Sequence, residues 1–411
     1  MSPVSRAIGV FLSAFMLSAC VPGTPPPGND TSPPASEPVS PTETSPVATA
    51  RLTDPAHAAT ATFEGATTAD ALSSFRVCGE PGTMDLAMME LAFVANWDGD
   101  LDVYTIRGDA LGLRQFTDNP GADVNPSWSG DGQQLAFVID ALADPRLYVS
   151  TADGSGGRVV APDLEVTTLH VEWSPKGDMV AFRNLEDLYA VDITTGEQTL
   201  LTPGPDINPS NPRFSPAGTM LAFKADVPSG SDGLLVVNLD GTGLRELSTT
   251  LEDVGRPVWH PALDKILFEG LVSSEGVGLY VASLDGAIEK LPIVPRYGPA
   301  EAAWSPDGRM IGYIVPLPVL GSGGEILSKN SLHVATAEGS LDVELVSPPD
   351  EPDAELQLHE LVWAPDSRHI AYTTVIEGRT DLFVLDICRG VSSVVVEDVD
   401  FYSAPSWRPL P

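Results

Sequence analysis

The chain has 411 residues, enough for one large domain or two to three ordinary ones, and 43 % of them are hydrophobic, enough for a sizeable core. Its 57 acidic residues against 22 basic ones give a formal net charge of -35. That argues against nucleic acid or an anionic membrane surface as a partner, because phosphate binding needs clustered Lys and Arg.

In chain order, the first element is an apolar run, AIGVFLSAFMLSAC, that follows Arg6 and ends at Cys20. The run is too short for a membrane span once its small-residue end is taken into account. Leu17-Ser18-Ala19-Cys20 resembles a bacterial lipobox, which implies a signal peptide over residues 1–19 and a lipid on Cys20. Burial of the acyl chains, worth about 0.8 kcal/mol per CH₂, would anchor the protein. Residues 20–60 are rich in Pro, Ser and Thr with almost no large apolar side chains, and read as a tether that cannot form a core. A lead-in segment follows over residues 61–89. With Cys20 lipidated, Cys78 and Cys388 remain, and in an exported protein two such cysteines suggest a disulfide.

From residue 90 the chain repeats itself. NPSWSGDGQQLAFV (125–138), HVEWSPKGDMVAFR (170–183), NPRFSPAGTMLAFK (211–224), RPVWHPALDKILFE (256–269), EAAWSPDGRMIGYI (301–314) and ELVWAPDSRHIAYT (360–373) share one pattern. The aromatic positions are Trp128, Trp173, Phe214, Trp259, Trp304, Trp363 and Trp407, at intervals of 45, 41, 45, 45, 59 and 44 residues. Each unit reads as two strands joined by a Pro-Asp-Gly-type turn, a third strand such as RLYVST (146–151), an Asp-Gly turn, and a fourth strand such as LRELS (244–248). Four strands at a period near 45 are the signature of a propeller blade.

The two ends of the array complement each other. The first unit starts at ELAFV (90–94) without a Trp strand, and the chain ends on APSWRPLP (404–411), a Trp strand with nothing after it. Joining them completes a blade. The expectation is therefore an all-β, seven-bladed propeller over residues 90–411 with four-stranded antiparallel blades, closed by the C-terminal Trp strand. A bond between Cys78 and Cys388 would span the closure.

The Trp-Ser-Pro-Asp-Gly…Ala-Phe units resemble the TolB-type, WD-like β-propeller repeat of bacterial envelope proteins and of the non-catalytic propellers of prolyl oligopeptidases. Together with the lipobox at Cys20, this resemblance leads to the expectation of a lipid-anchored, extracytoplasmic module, on the periplasmic or cell-surface side, that binds an envelope protein or a small ligand as a monomer. It says little about chemistry, because a propeller is a scaffold for many functions.

Catalytic motifs are scarce. No G-x-S-x-G elbow occurs, and only Pro409, Leu410 and Pro411 follow the strand of Trp407, so serine hydrolysis is not expected. The histidines are dispersed: His57 in the tether, His260 in a turn, His333 and His369 on strands. No cofactor or metal is assigned, although Asp98, Asp100 and Asp102 alternate as in an oxygen-rich calcium loop; their hairpin turn accounts for the same residues.

Propeller geometry selects one face. Loops between second and third strands emerge on the same side as the blade-to-blade connections. The residue three before each aromatic begins the innermost strand there: Asn125, His170, Asn211, Arg256, Glu301, Glu360 and Ala404. The six polar members are the candidate binding ring, with Arg256 as the expected contact for an anion or carboxylate. Two insertions, residues 316–330 and 348–360, are expected as loops around that mouth. The rival reading is a propeller-type polysaccharide lyase that uses His170, Glu301 and Glu360.

Overall fold

Ser305 shows why the Trp-Ser-Pro-Asp-Gly stretch turns the chain. In the computed structural model its hydroxyl donates to Asp307 Oδ1 at 2.6 Å and accepts the Met310 amide at 3.0 Å, while Asp307 Oδ1 also accepts the Arg309 amide at 3.1 Å. Gly308 supplies the left-handed backbone, at φ 72°, that closes this turn. Ser129, Ser174 and Ser215 repeat the device, accepting the amides of Gln134, Met179 and Met220. In the irregular HPALDK unit His260 replaces the serine: its Nδ1 accepts the Ala262 and Leu263 amides, both at 3.1 Å. Burial holds this imidazole below its ordinary pKa.

The structure describes residues 78, 85–139, 144–166, 171–203, 207–226, 232–248, 251–274, 276–293, 298–320, 326–348, 356–376, 378–400 and 403–409. The expected signal segment, Cys20, the tether and most of the lead-in lie outside the described residues, as does His170.

Seven antiparallel sheets form the blades. Blade 1 takes its innermost strand, Ser406–Trp407, from the C-terminus and the rest from Glu90–Ala95, Asp102–Arg107 and Arg114–Gln115, with Leu91 opposite Trp407. Blades 2 to 7 then follow in sequence, their innermost strands at Val124–Trp128, Glu172–Trp173, Pro209–Phe214, Val258–Trp259, Ala300–Trp304 and Gln357–Trp363. Blade 5 has a fifth piece, Asp253–Val254, because its innermost strand is broken around Gly255–Pro257. Each innermost strand contacts that of the next blade, and blade 7 contacts blade 1, so the ring closes. Closure leaves no exposed inner sheet edge.

The core lies between blades, in seven clusters. In each, the aromatic of one blade packs on the second strand of the blade before it. Trp128 meets Ala92, Trp173 meets Ala136, Phe214 meets Ala181, Trp259 meets Ala222, Trp304 meets Leu267 and Trp407 meets Ala371. At the blade 6–7 contact the small residue is Gly312, where an added Cβ would lie 3.1 Å from Trp363 Nε1. The Ala-Phe of the repeat is thus a small residue that seats the next indole and a large one that fills the opposite face. Three indoles add a cross-blade hydrogen bond: Trp173 to Ser127 O at 2.8 Å, Trp259 to Arg213 O at 3.0 Å, and Trp363 to Ala303 O at 3.1 Å.

Residues 316–330, expected as a loop, are mostly strand. Met310–Leu320 and Ile326–Thr336 pair through Leu320 opposite Ile326, so the insertion lengthens a hairpin of blade 6. The pairing runs across Pro316 and Pro318, opposite Asn330 and Ser328, which the repeat pattern alone did not suggest. The second insertion, 348–360, ends in strand from Gln357; residues 349–355 lie outside the described residues.

Cys78 and Cys388 are bonded, with Cα atoms 5.2 Å apart and 310 residues between them. The bond ties the segment leading into blade 1 to a turn of blade 7 and sits beside a compact charge cluster. Asp386 takes a bidentate hydrogen bond from Arg368 at 2.9 and 2.6 Å and accepts the Cys388 amide at 2.9 Å. His369 Nδ1 lies 2.6 Å from Asp366 and its Nε2 3.9 Å from Asp386. Although burial opposes it, bonding to His369 holds Asp366, and bonding to Arg368 holds Asp386, below the ordinary carboxylate range. A depressed carboxyl stabilises the fold fully above its unfolded value, near ~4, and loses that contribution as pH falls through the folded value. Urea melts of the protein are therefore expected to show stability falling below pH 4. Asp386→Asn should flatten that fall while costing about 3 kcal/mol at pH 7, since it takes the bidentate carboxylate from the largely buried Arg368 guanidinium.

Candidate functional site

The candidate ring residues share a backbone device. Asn125, Asn211, Glu301 and Glu360 have φ of 57°, 52°, 53° and 55°. At each, the innermost strand slips one residue against the second strand, between Val124 and Ser127, Ser210 and Arg213, Ala300 and Ala303, and His359 and Val362. These are β-bulges, which bend a strand and re-aim its side chains. Left-handed backbone is unusual for Glu and costs of order 1 kcal/mol, so Glu301 and Glu360 are held there by their surroundings. In blade 5 the strand break takes the place of the bulge, and Arg256 sits in it.

Three of the six candidates come together. Arg256 Nη2 lies 3.6 Å from Glu301 Oε2, and its Nη1 lies 3.9 Å from Glu360 Oε2. Glu301 Oε2 also accepts the Glu360 amide at 2.6 Å and the Leu361 amide at 3.4 Å, so a blade 6 side chain caps the blade 7 bulge. Between a fifth and a third of each side chain is open, 29 % for Arg256, 22 % for Glu301 and 21 % for Glu360. Arg256, expected as a contact for an anion or carboxylate, is thus engaged by two carboxylates of the protein itself.

Of the other candidates, Asn125 and Asn211 are among the described residues. Asn125 is 7 % exposed; its amide donates to Ser403 Oγ at 3.2 Å, and its own Oδ1 accepts from the same hydroxyl at 3.3 Å. These bonds tie the blade 2 bulge to the segment that leads into the C-terminal strand of blade 1. Asn211 is half-buried on the blade 4 bulge.

Three charged residues that the repeat reading did not single out complete the site. Arg213 Nη1 is 3.3 Å from Glu172 Oε2, linking blades 3 and 4. Glu269, on the second strand of blade 5, accepts the Ala302 amide at 2.9 Å and acts on Arg256. Burial pushes the Glu172 and Glu269 carboxyls up. Burial, and then the adjacent Glu301 charge, pushes Glu360 up to about 7. Four carboxylates thus face two guanidiniums across blades 3 to 7.

Elsewhere on the same face, Asp98, Asp100 and Asp102 place one oxygen each within 4.8 Å of one another. Gln115 Nε2 donates to Asp98 and Asp102, both at 2.9 Å, and Thr117 Oγ1 donates to Asp102 at 3.0 Å. Burial pushes Asp102 up to about 6. The protein's own donors serve this cluster as a hairpin turn would require.

A family model described as the TolB beta propeller domain matches residues 59–263. The chain is a TolB-type β-propeller protein. It is 25 % identical over 157 residues to the Tol-Pal system protein TolB of Bordetella pertussis, a stretch covering 38 % of this chain and 35 % of that one. It is 30 % identical over 158 residues to the protein TolB homolog of Chlorobium luteolum, covering 37 % and 35 %. The chain thus spans about a third of the length of the curated relatives it matches. Among solved structures it is similar to TolB from Acinetobacter baumannii (TM-score 0.51, 15 % identity, 81 % of this chain and 69 % of that one). It is also similar to an oligogalacturonate lyase from Vibrio parahaemolyticus (TM-score 0.55, 15 % identity, 76 % and 86 %). At these identities the structural likeness shows the propeller fold alone.

Proposed function

We propose that this TolB-type propeller is exported to the cell envelope, is anchored there through a lipid on Cys20, and binds another protein at the mouth bearing Arg256, Glu301 and Glu360. The observation that carries the mouth assignment is the pair of glutamates held in left-handed bulges on adjacent blades around one arginine. Such strained, partly open charge is an arrangement that a spacer with no ligand has no need to maintain. The relatives named as Tol-Pal system proteins support an envelope partner. The lyase reading rests on fold likeness alone, and His170, one of its three candidate residues, lies outside the described residues.

Two outcomes are expected. Cys20→Ser should release the protein from membranes or leave an unprocessed precursor; a variant that still carries labelled fatty acid would end the lipid-anchor reading. Glu360→Ala should weaken capture of the partner from envelope extracts about tenfold or more, as loss of a partly desolvated contact does. Asp153→Ala and Asp285→Ala, in turns of the opposite face, should leave capture unchanged. Loss of capture from those two variants alone would place binding on the other face.

A further inference from the structure

Glu301 and Glu360 compete for one guanidinium, and the competition is unequal. Glu301 has the nearer contact to Arg256, at 3.6 Å, and the two backbone amides of Glu360 and Leu361. Glu360 has Arg256 at 3.9 Å as its ion pair among the described residues.

The surrounding charges add to this bias. Glu360 is faced by Glu301 of blade 6, Arg256 of blade 5 and Arg213 of blade 4. On its own strand His359 precedes it, and Lys329 of the blade 6 hairpin pairs beside Leu356. Arg408 of the adjoining blade 1 strand is engaged by Glu90 at 2.9 Å. On the second strand of blade 7, Ala371 and Thr373 flank Tyr372, whose hydroxyl donates to Ser392 Oγ at 2.8 Å. Two carboxylates that share a narrow channel and one cation do not ionise as freely as one.

We propose that Glu360 is a proton switch: it holds a proton below neutral pH and a negative charge above it, and so sets the charge of the channel mouth. The effect on binding rests on the mouth-face reading above; the titration does not. Above the switch point the mouth carries one more negative charge, so a cationic group of a partner should bind on the order of tenfold more tightly at pH 8 than at pH 6.

The test is a carbon-13 NMR titration of the carboxyl groups of the full chain, with the proton as the probe. One Glu carboxyl is expected to titrate near pH 7. Its resonance should vanish in Glu360→Gln. In Glu301→Gln it should shift toward the ordinary range, because the neighbouring charge is gone. The switch is overturned if no near-neutral Glu resonance is lost in Glu360→Gln; the resonances of Glu172 and Glu269, which burial also pushes up, are identified by Glu172→Gln and Glu269→Gln. That failure leaves capture at the mouth standing, and loss of the mouth-face reading leaves a positive titration standing.

Discussion

Trp363→Ala is expected to destabilise the propeller by about 3–5 kcal/mol, the usual loss when a large aromatic leaves a core. Trp363 is 8 % exposed, packs into the cluster between blades 6 and 7, and donates its indole N–H to Ala303 O. Trp363→Phe should cost less than half as much, since it keeps most of the packing and loses the hydrogen bond. The converse change, Gly312→Leu, fills the seat rather than removing its occupant and should destabilise by about 1–3 kcal/mol. Chemical denaturation of the three variants measures all of this. A Trp363→Ala variant within about 0.5 kcal/mol of the wild type would show that these blades do not rely on their shared aromatic.

Reduction of Cys78–Cys388, or Cys388→Ser, is the second large effect. A loop of 310 residues gives roughly 5 kcal/mol in the chain-entropy model, and native disulfides commonly contribute about 2–5 kcal/mol. The loss should appear as a lower melting temperature in reductant, absent in the Cys78→Ser/Cys388→Ser double variant. Non-reducing peptide mapping should recover the 78–388 pair. Two alkylatable thiols in the folded protein would contradict it.

The architecture was legible because each feature that closes a propeller blade leaves a local mark. Ser and Asp-Gly close the first turn, a small residue seats the next blade's Trp, and a lone Trp strand at Trp407 requires a three-stranded blade to join. The site was only half legible. Counting three residues back from each aromatic found Arg256, Glu301 and Glu360 because the bulge recurs at a fixed offset. The same offset picked out Asn125, whose side chain meets Ser403 of the closing segment. It missed Glu172 and Arg213, which stand one residue before their aromatics, where Ser127, Val258, Ala303, Val362 and Ser406 are uncharged. A charge in that column was the available signal. Glu269 had another, a carboxylate interrupting the apolar run of its strand. Which carboxylate captures Arg256 depends on distances between blades, and no single repeat encodes those.

The account turns on which face meets a partner, and site-specific photo-crosslinking in intact cells tests that most directly. A photoreactive residue at Glu186, exposed in the second-to-third strand turn of blade 3, reports the mouth; one at Asp285, exposed in the third-to-fourth strand turn of blade 5, reports the opposite face. The account predicts a covalent adduct with an envelope protein from position 186 that is diminished by Glu360→Ala, and none from position 285. An adduct from position 285 alone would contradict it.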